Sequence, residues 1–421
     1  MKLAFPLCLI ICLPFFADAA VIFVDDNASP GGDGSSWSNA HKYLQDALSA
    51  ASSGDEIRVA EGTYKPDRGT GKTPGDRTAS FNLVSGVEMY GGFLGTEATR
   101  NPLGDNNQTI LSGEIDSNST LWSLRVVSGI DLAEPSIASG FRITKGNANG
   151  NGDFGMGGGI YLSKASVALS DLIFISNENI IFLDSYESFQ TDLNVSNCSF
   201  SNNSFSQWFR GATLTNCSFK GNIFHGDVNP IAQSRRSTLI SCAFTGNSIL
   251  LDNSFKLTNC IFAGNSLVGL FEKSDLESCS FTGNSTPWAG FNESNLTNCS
   301  FTGNARLEFW WSDLKSCSFT GNHATATVGG IPVTSQHAIG KNEHSHHWRT
   351  NGGTGQYIDL EFQFGQGLGS SHFGHSTLDS CNFRGNSSWI GGAAHFEERN
   401  ATHCSFIENN ASFWGGGVNG T

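Results

Sequence analysis

Two chemistries on sugars would need this chain's carboxylates gathered in one place. Hydrolysis of a glycosidic bond takes a carboxylate pair at fixed separation, and elimination takes carboxylates around Ca²⁺ with a Lys or Arg as base. The 421 residues include 38 Asp and Glu, yet Asp25-Asp26 falls in an early strand, Asp275 and Glu277 flank one turn, and Asp313 and Asp379 occur singly. Read from sequence, none of these forms a cluster on equivalent positions of neighbouring repeats. All of them read as solvated corners, and no catalytic residue is assigned. Histidine is more concentrated: seven of the eleven lie between His323 and His375, densest at His344-Ser345-His346-His347. His344 and His346 would share one side of an extended segment, but the stretch is Gly-rich and reads as a projecting loop, so no metal site is assigned. Trp208, Trp288, Trp310, Trp311 and Trp414 stand 9 to 12 residues after a cysteine. Turned outward they would stack on sugar rings; turned inward they are core.

The elements that must carry these residues are set by a repeat. Cys198, Cys217, Cys242, Cys260, Cys279, Cys299, Cys317, Cys381 and Cys404 are each followed by Phe two residues on and by Asn five residues on. The pattern is L-x-x-C-x-F-x-x-N, with Val195 and Ala401 as departures at its first position. Successive cysteines are mostly 18 to 20 residues apart, the length of one coil of a parallel β-helix. Residues two apart share a strand face, so Cys and Phe point inward and the residue between them points to solvent. Coils stacked at about 4.8 Å would superpose identical residues into ladders, with Asn side chains hydrogen-bonding up and down their column. The Gly before most of these Asn fits a turn position of positive φ.

Leu169, Leu172, Phe174 and Asn177 repeat the offsets with Leu in the Cys place, and Phe141, Ile143 and Gly146 form an earlier version. Phe362, Phe364 and Gly367, nineteen residues before Cys381, read as a further coil. In all, the pattern predicts roughly 16 coils and a rod of about 75 Å. Strands are expected at Val21–Val24, Glu56–Val59, Phe81–Leu83, Val87–Tyr90 and Thr109–Leu111. Ala40, Leu44, Ala47, Leu48 and Ala51 have helical spacing and predict a helix that caps the first coil. The fold class expected is therefore all-β, a right-handed parallel β-helix (solenoid) with an N-terminal capping helix.

Lys2, the apolar run Leu3–Phe16 and the small-residue site Ala17-Asp18-Ala19 read as a secretory signal peptide. Leu7 before Cys8 and Ile11 before Cys12 do not fit lipidation, and no stretch of 18 apolar residues suggests a membrane span. The organisation expected is signal peptide 1–20, cap 21–54 and β-helix 55–421, with a Gly/His-rich insertion at about 323–357. The chain stops in mid-coil at Gly415–Thr421, so a further C-terminal region is expected. Nine cysteines in an exported chain read first as buried thiols, because stacked parallel residues aim their Cβ bonds alike and strain a disulfide. Scattered disulfides or a bound metal are the alternatives, although no CxxC pair is present. Sequons such as Asn197-Cys198-Ser199 and Asn298-Cys299-Ser300 fall out of the repeat. Net charge is −14 without basic clusters, which excludes nucleic acid as a partner.

Phe406-Ile407-Glu408-Asn409 followed by Gly415-Gly416-Gly417-Val418 resembles the paired FxxN and GGA[ILV] repeats of chlamydial polymorphic outer membrane proteins. Gly157-Gly158-Gly159-Ile160 and Gly391-Gly392-Ala393-Ala394 look like further copies. The opening, Val24-Asp25-Asp26-Asn27 through Trp37 to Glu61-Gly62-Thr63-Tyr64, resembles secreted bacterial β-helix proteins of the pectin-lyase-like fold. These resemblances imply a secreted or cell-surface, outer-membrane-associated solenoid with a non-enzymatic binding, adhesion or structural role and no cofactor. Its partner would be an extracellular polysaccharide or another cell-surface molecule. The pectin-lyase-like fold also includes polysaccharide lyases and glycoside hydrolases, which gives the alternative. The Asn-Thr-Asp, Gly-His-Gly and Arg-Ile-Lys signatures of such hydrolases do not occur here.

Overall fold

A computed structural model describes residues 19–102, 109–115, 121–150, 155–184, 193–205, 211–224, 237–248, 252–266, 270–285, 289–305, 307–322, 371–374, 376–390, 394–397, 401–414 and 418–420, with four two-residue strands between 327 and 361. Short strands separated by sharp corners wind into a right-handed parallel β-helix. The first sheet has fourteen strands in a row, from Val21–Val24 to Ala401–Thr402. The second has thirteen, from Gly62–Tyr64 to Ser405–Ile407, and the third has seven, from Asp252–Asn253 to Val418–Gly420. Thirteen intervals at about 4.8 Å give a rod of about 60 Å.

Stacking is residue on identical residue. Phe174, Phe200, Phe219, Phe244, Phe262, Phe281, Phe301, Phe319, Phe383 and Phe406 are direct register partners along the second sheet. Their ring centroids lie 4.5–5.1 Å apart with planes within 10°. Across the interior a second column, Phe271, Phe291 and Phe309 of the third sheet, meets these rings edge-on at 5.5–5.8 Å, which suits the ring quadrupoles. Leu214, Leu239, Leu257, Leu276, Leu296, Leu314 and Leu378 form the matching column of the first sheet.

Three corners make this possible. Before each cysteine stands a left-handed residue, from Asn197 and Asn216 to Ser380 and His403, with φ of 53–56°. Asn and Ser there turn the chain from first sheet to second, and the Asn of both sequons, Asn197 and Asn298, are such corner residues. The expected glycines, Gly221 to Gly385, take φ of 59–62°. A Cβ on Gly283 would meet nothing within 4 Å, so conformation and not space selects glycine. The third corner was not foreseen: Lys273, Glu293 and Trp311 take φ of 45–49°, each followed by a buried serine. Ser274 and Ser294 donate their backbone N–H groups to the hydroxyls of Ser294 and Ser312 at 3.0 and 3.1 Å.

The Asn ladder runs from Asn177 to Asn409. Asn265 accepts from the backbone N of Asn247 at 3.0 Å and from its Nδ2 at 3.1 Å, and donates to the Phe244 carbonyl and to Asn284 Oδ1, both at 3.0 Å. Gly146 occupies the Asn place of an early coil, donating its N–H to Asn177 Oδ1 at 2.9 Å. Eight of the nine cysteines described are buried, Cys404 is half-buried, and all are free thiols. On Cys299 the hydrogen bond with Cys279 favours the thiolate, that with Cys317 opposes it, and burial tips the balance, so the thiol is pushed up to about 12.

Two expectations are corrected. The helix spans Leu44–Ala50, shorter than its apolar spacing suggested, because Ala40 closes a preceding 3-10 turn and Ala51 already has extended backbone. It buries Leu44, Ala47 and Leu48 on the first coils. The coil expected around Phe362 and Phe364 falls outside the described residues, and its place in the stack is taken: Phe319 pairs directly with Phe383 and Asp313 with Thr377. The rod is shorter than 16 coils for that reason. The signal peptide expected at 1–20 lies almost wholly outside the described residues.

Two outcomes follow from the ladders. Asn265→Ala strands the buried N–H of Asn247 and should cost about 2–4 kcal/mol in urea unfolding, against about 0.5 kcal/mol or less for Ser266→Ala at the rim. A loss no larger than the Ser266 control would remove the ladder from the stability account. Titration of residues 19–421 with a thiol reagent should find at most one fast thiol, Cys404, in the native chain and nine in urea; several fast native thiols would contradict a buried column.

Candidate functional site

Because Leu at the third position before each cysteine faces the core, the residues on either side of it face solvent. Register then stacks these outward residues as strictly as the inner ones. Asp275, Asn295, Asp313 and Thr377 form one outer column of the first sheet, and Glu277, Thr297, Lys315 and Asp379 form the next. This corrects the sequence reading of the acids. Asp313 and Asp379 lie on adjacent paired strands, and Lys315 is the direct register partner of Asp379. The signal was available: counted back from their cysteines, Asp275, Asn295, Asp313 and Thr377 all stand at minus four. It was missed because the 64-residue interval between Cys317 and Cys381 hides their adjacency.

Asn295, Asp313, Lys315, Thr377, Asp379 and Thr402 line a trough of about 470 Å³ on this face, within the range of small-molecule sites. Asn295 donates to Asp275 Oδ1 at 2.9 Å, and the Thr377 hydroxyl donates to Asp313. Asp379 Oδ1 accepts from Thr402 Oγ1 at 3.2 Å and from Ser380 Oγ at 3.3 Å, with His403 Nδ1 at 3.1 Å. The hydrogen bond with His403 is the largest cause holding Asp379 below the usual carboxylate range, helped by Thr402 and Ser380. A general acid needs the opposite shift. Asp379 is thus an ionised acceptor at neutral pH, and the trough alternates amide, hydroxyl, ammonium and carboxylate at coil spacing, an arrangement suited to holding a polyhydroxylated chain.

A second, smaller concavity of about 200 Å³ lies beside the cap helix, with Lys42, Lys65 and Arg68 in its wall. The tryptophans form no stripe among the described residues. Trp310 is buried in the third-sheet strand Leu307–Trp310 and Trp311 is half-buried at a corner; Trp208 and Trp288 lie outside the described residues, as does the side chain of Trp414. His344 also lies outside them, while His346–His347 forms a two-residue strand antiparallel to Leu360–Glu361. Among the described residues no helix is long and apolar enough to cross a membrane.

No family model matches the chain. No curated protein sequence matches it either. Among solved structures it is similar to the surface protein and adhesin PfbA of Streptococcus pneumoniae, at 10% identity over 90% of this chain and 95% of that one, with a TM-score of 0.35. The lacto-N-biosidase of Eubacterium ramulus gives 7% identity over 95% and 67%, with a TM-score of 0.30. Tailspike protein 3 of bacteriophage CBA120 gives 12% over 91% and 59%, with a TM-score of 0.33. The fold assignment rests on this chain's own strand registers.

The carboxylate shift has a direct test. His403→Ala should raise the titration midpoint of Asp379 toward the ordinary carboxylate value, read by carbon-13 NMR of the side-chain carboxyl. A depressed folded-state pKa means that the contact stabilises above the unfolded carboxylate pKa and is lost as pH falls through the folded one. An unmoved midpoint would take His403 out of the site.

Proposed function

We propose that this chain is an exported cell-surface rod that binds an extracellular polysaccharide, or another surface molecule rich in hydroxyls, along the outer face of its first sheet, without cleaving it. The observation that carries this reading is the trough in which Asp313, Lys315, Thr377 and Asp379 stand in register with Asp379 held ionised. Fixed acceptors and donors repeated at each coil suit a repeating ligand lying along the rod axis. The leader-like residues 1–20 and the FxxN and GGA-like repeats support export and a place at the outer surface, as in polymorphic outer membrane passengers.

Polysaccharide cleavage remains the second reading, favoured by one observation: two carboxylates and a lysine share the trough. One experiment separates the two. Purified residues 19–421 are passed over immobilised neutral and acidic polysaccharides with and without Ca²⁺, and the eluate is read for retention, unsaturated products and new reducing ends. We expect retention without product, weakened at least tenfold in Asp313→Asn/Asp379→Asn with the circular dichroism unchanged. Product that disappears in the double variant would replace binding by catalysis, and retention indifferent to the variant would move the surface off the first sheet.

A further inference from the structure

The concavity beside the cap helix differs in chemistry from the trough. It is small, about 200 Å³, below the usual volume of a drug-sized site, and it sits where the first coil meets the helix Leu44–Ala50. Its groups are fixed from several sides. Lys42 Nζ donates to the carbonyls of Asp26 and Ala28 at 2.6 and 3.2 Å, which holds the ammonium in place and leaves one N–H unused. The Tyr64 hydroxyl donates to the Ala60 carbonyl at 3.1 Å and accepts from the Asp26 N–H at 3.1 Å. Asp26 Oδ2 in turn accepts from the Thr63 N–H at 2.9 Å. Arg68 Nε faces the buried Asp67 carboxylate at 3.5 Å, which leaves the remaining guanidinium N–H groups available.

Lys65 differs from its neighbours: it lines the same wall, is only half exposed, and its ammonium has no hydrogen-bond or ion-pair partner among the described residues. The unused capacity of the pocket is therefore almost entirely donor: three N–H on Lys65, one on Lys42, those on Arg68 and the Tyr43 hydroxyl. Against three cations stands one facing carboxylate, Asp26. In a chain of net charge −14, convergent cations around a concavity select an anion of matching size.

We infer that this pocket binds the oxyanion of an acidic sugar, a carboxylate or sulfate group carried on a single sugar ring. Lys65 and Arg68 meet the oxyanion, and the Asp26 carboxylate accepts from a neighbouring ring hydroxyl. Asp26 argues for a sugar over a free inorganic anion, because it gives a hydroxyl a partner and gives sulfate alone only repulsion. The inference does not rest on the trough, which lies many coils away and carries the opposite charge.

The test uses residues 19–421 and three probes, D-galacturonate, D-galactose and sodium sulfate, with affinities from saturation-transfer NMR titrations. Galacturonate should bind at least tenfold more tightly than galactose, sulfate should displace it, and raised salt should weaken it. Lys65→Ala should lower galacturonate affinity about tenfold or more and Lys65→Arg should restore most of it, a pair chosen because Lys65 has no partner whose loss would unfold the cap. Asp26→Asn, which keeps an acceptor for the Thr63 N–H, should bring galacturonate down toward sulfate. Equal binding of galactose and galacturonate, or wild-type affinity in Lys65→Ala, overturns the site. Sulfate binding as tightly as galacturonate, with Asp26→Asn unchanged, overturns the sugar assignment.

Discussion

Parallel pairing in perfect register imposes one distance, about 4.8 Å, on every column of side chains in this molecule. Phenylalanine rings accept it, because stacked rings find favourable contact near that spacing. Asparagine accepts it too, since an amide can bridge two backbones so separated while satisfying its own groups. Cysteine is small enough to fill the tight corner between first and second sheets and apolar enough to stay there. No coil could hold such an interior alone; each buries its faces only against its neighbours.

The same constraint builds the outside. A residue facing solvent in one coil lies over its counterpart in the next, so surface chemistry here is written in columns. The trough on the first sheet arises because aspartate, asparagine, threonine and lysine occupy equivalent positions in consecutive coils. Its Asp379 is held ionised by neighbours from the next coil, Thr402 and His403. The pocket at the cap obeys different rules. It lies where the repeat has not begun, and its residues are placed by loop carbonyls and the short helix.

How much was legible follows from which contacts are periodic. The Cys, Phe and Asn columns and the glycine corners could be read directly, since a period of 18 to 20 residues prints them side by side in the sequence. The serine column at Ser274, Ser294 and Ser312 was not read, because serine is common everywhere in the chain and its offset from the next cysteine was not compared. The trough was misread as isolated acids because two of its strands are separated by a long excursion. The pocket around Lys65 had no periodic signal at all, being assembled from residues 26, 42, 43 and 65 to 68 by the fold of the cap alone.

Between Asn322 and Asn386 the chain travels 64 residues, yet the bond from the Asn322 N–H to Asn386 Oδ1 is 2.8 Å and that from its Nδ2 is 3.1 Å, the same as between coils 18 residues apart. Contour length and stacking are therefore decoupled. Closing a longer loop costs little extra entropy, and the rungs on either side are indifferent to what lies between. Such a rod can be lengthened by whole turns or carry a grafted segment wherever the graft's two ends return one strand spacing apart, so the corner after the Asn ladder is a socket for cargo.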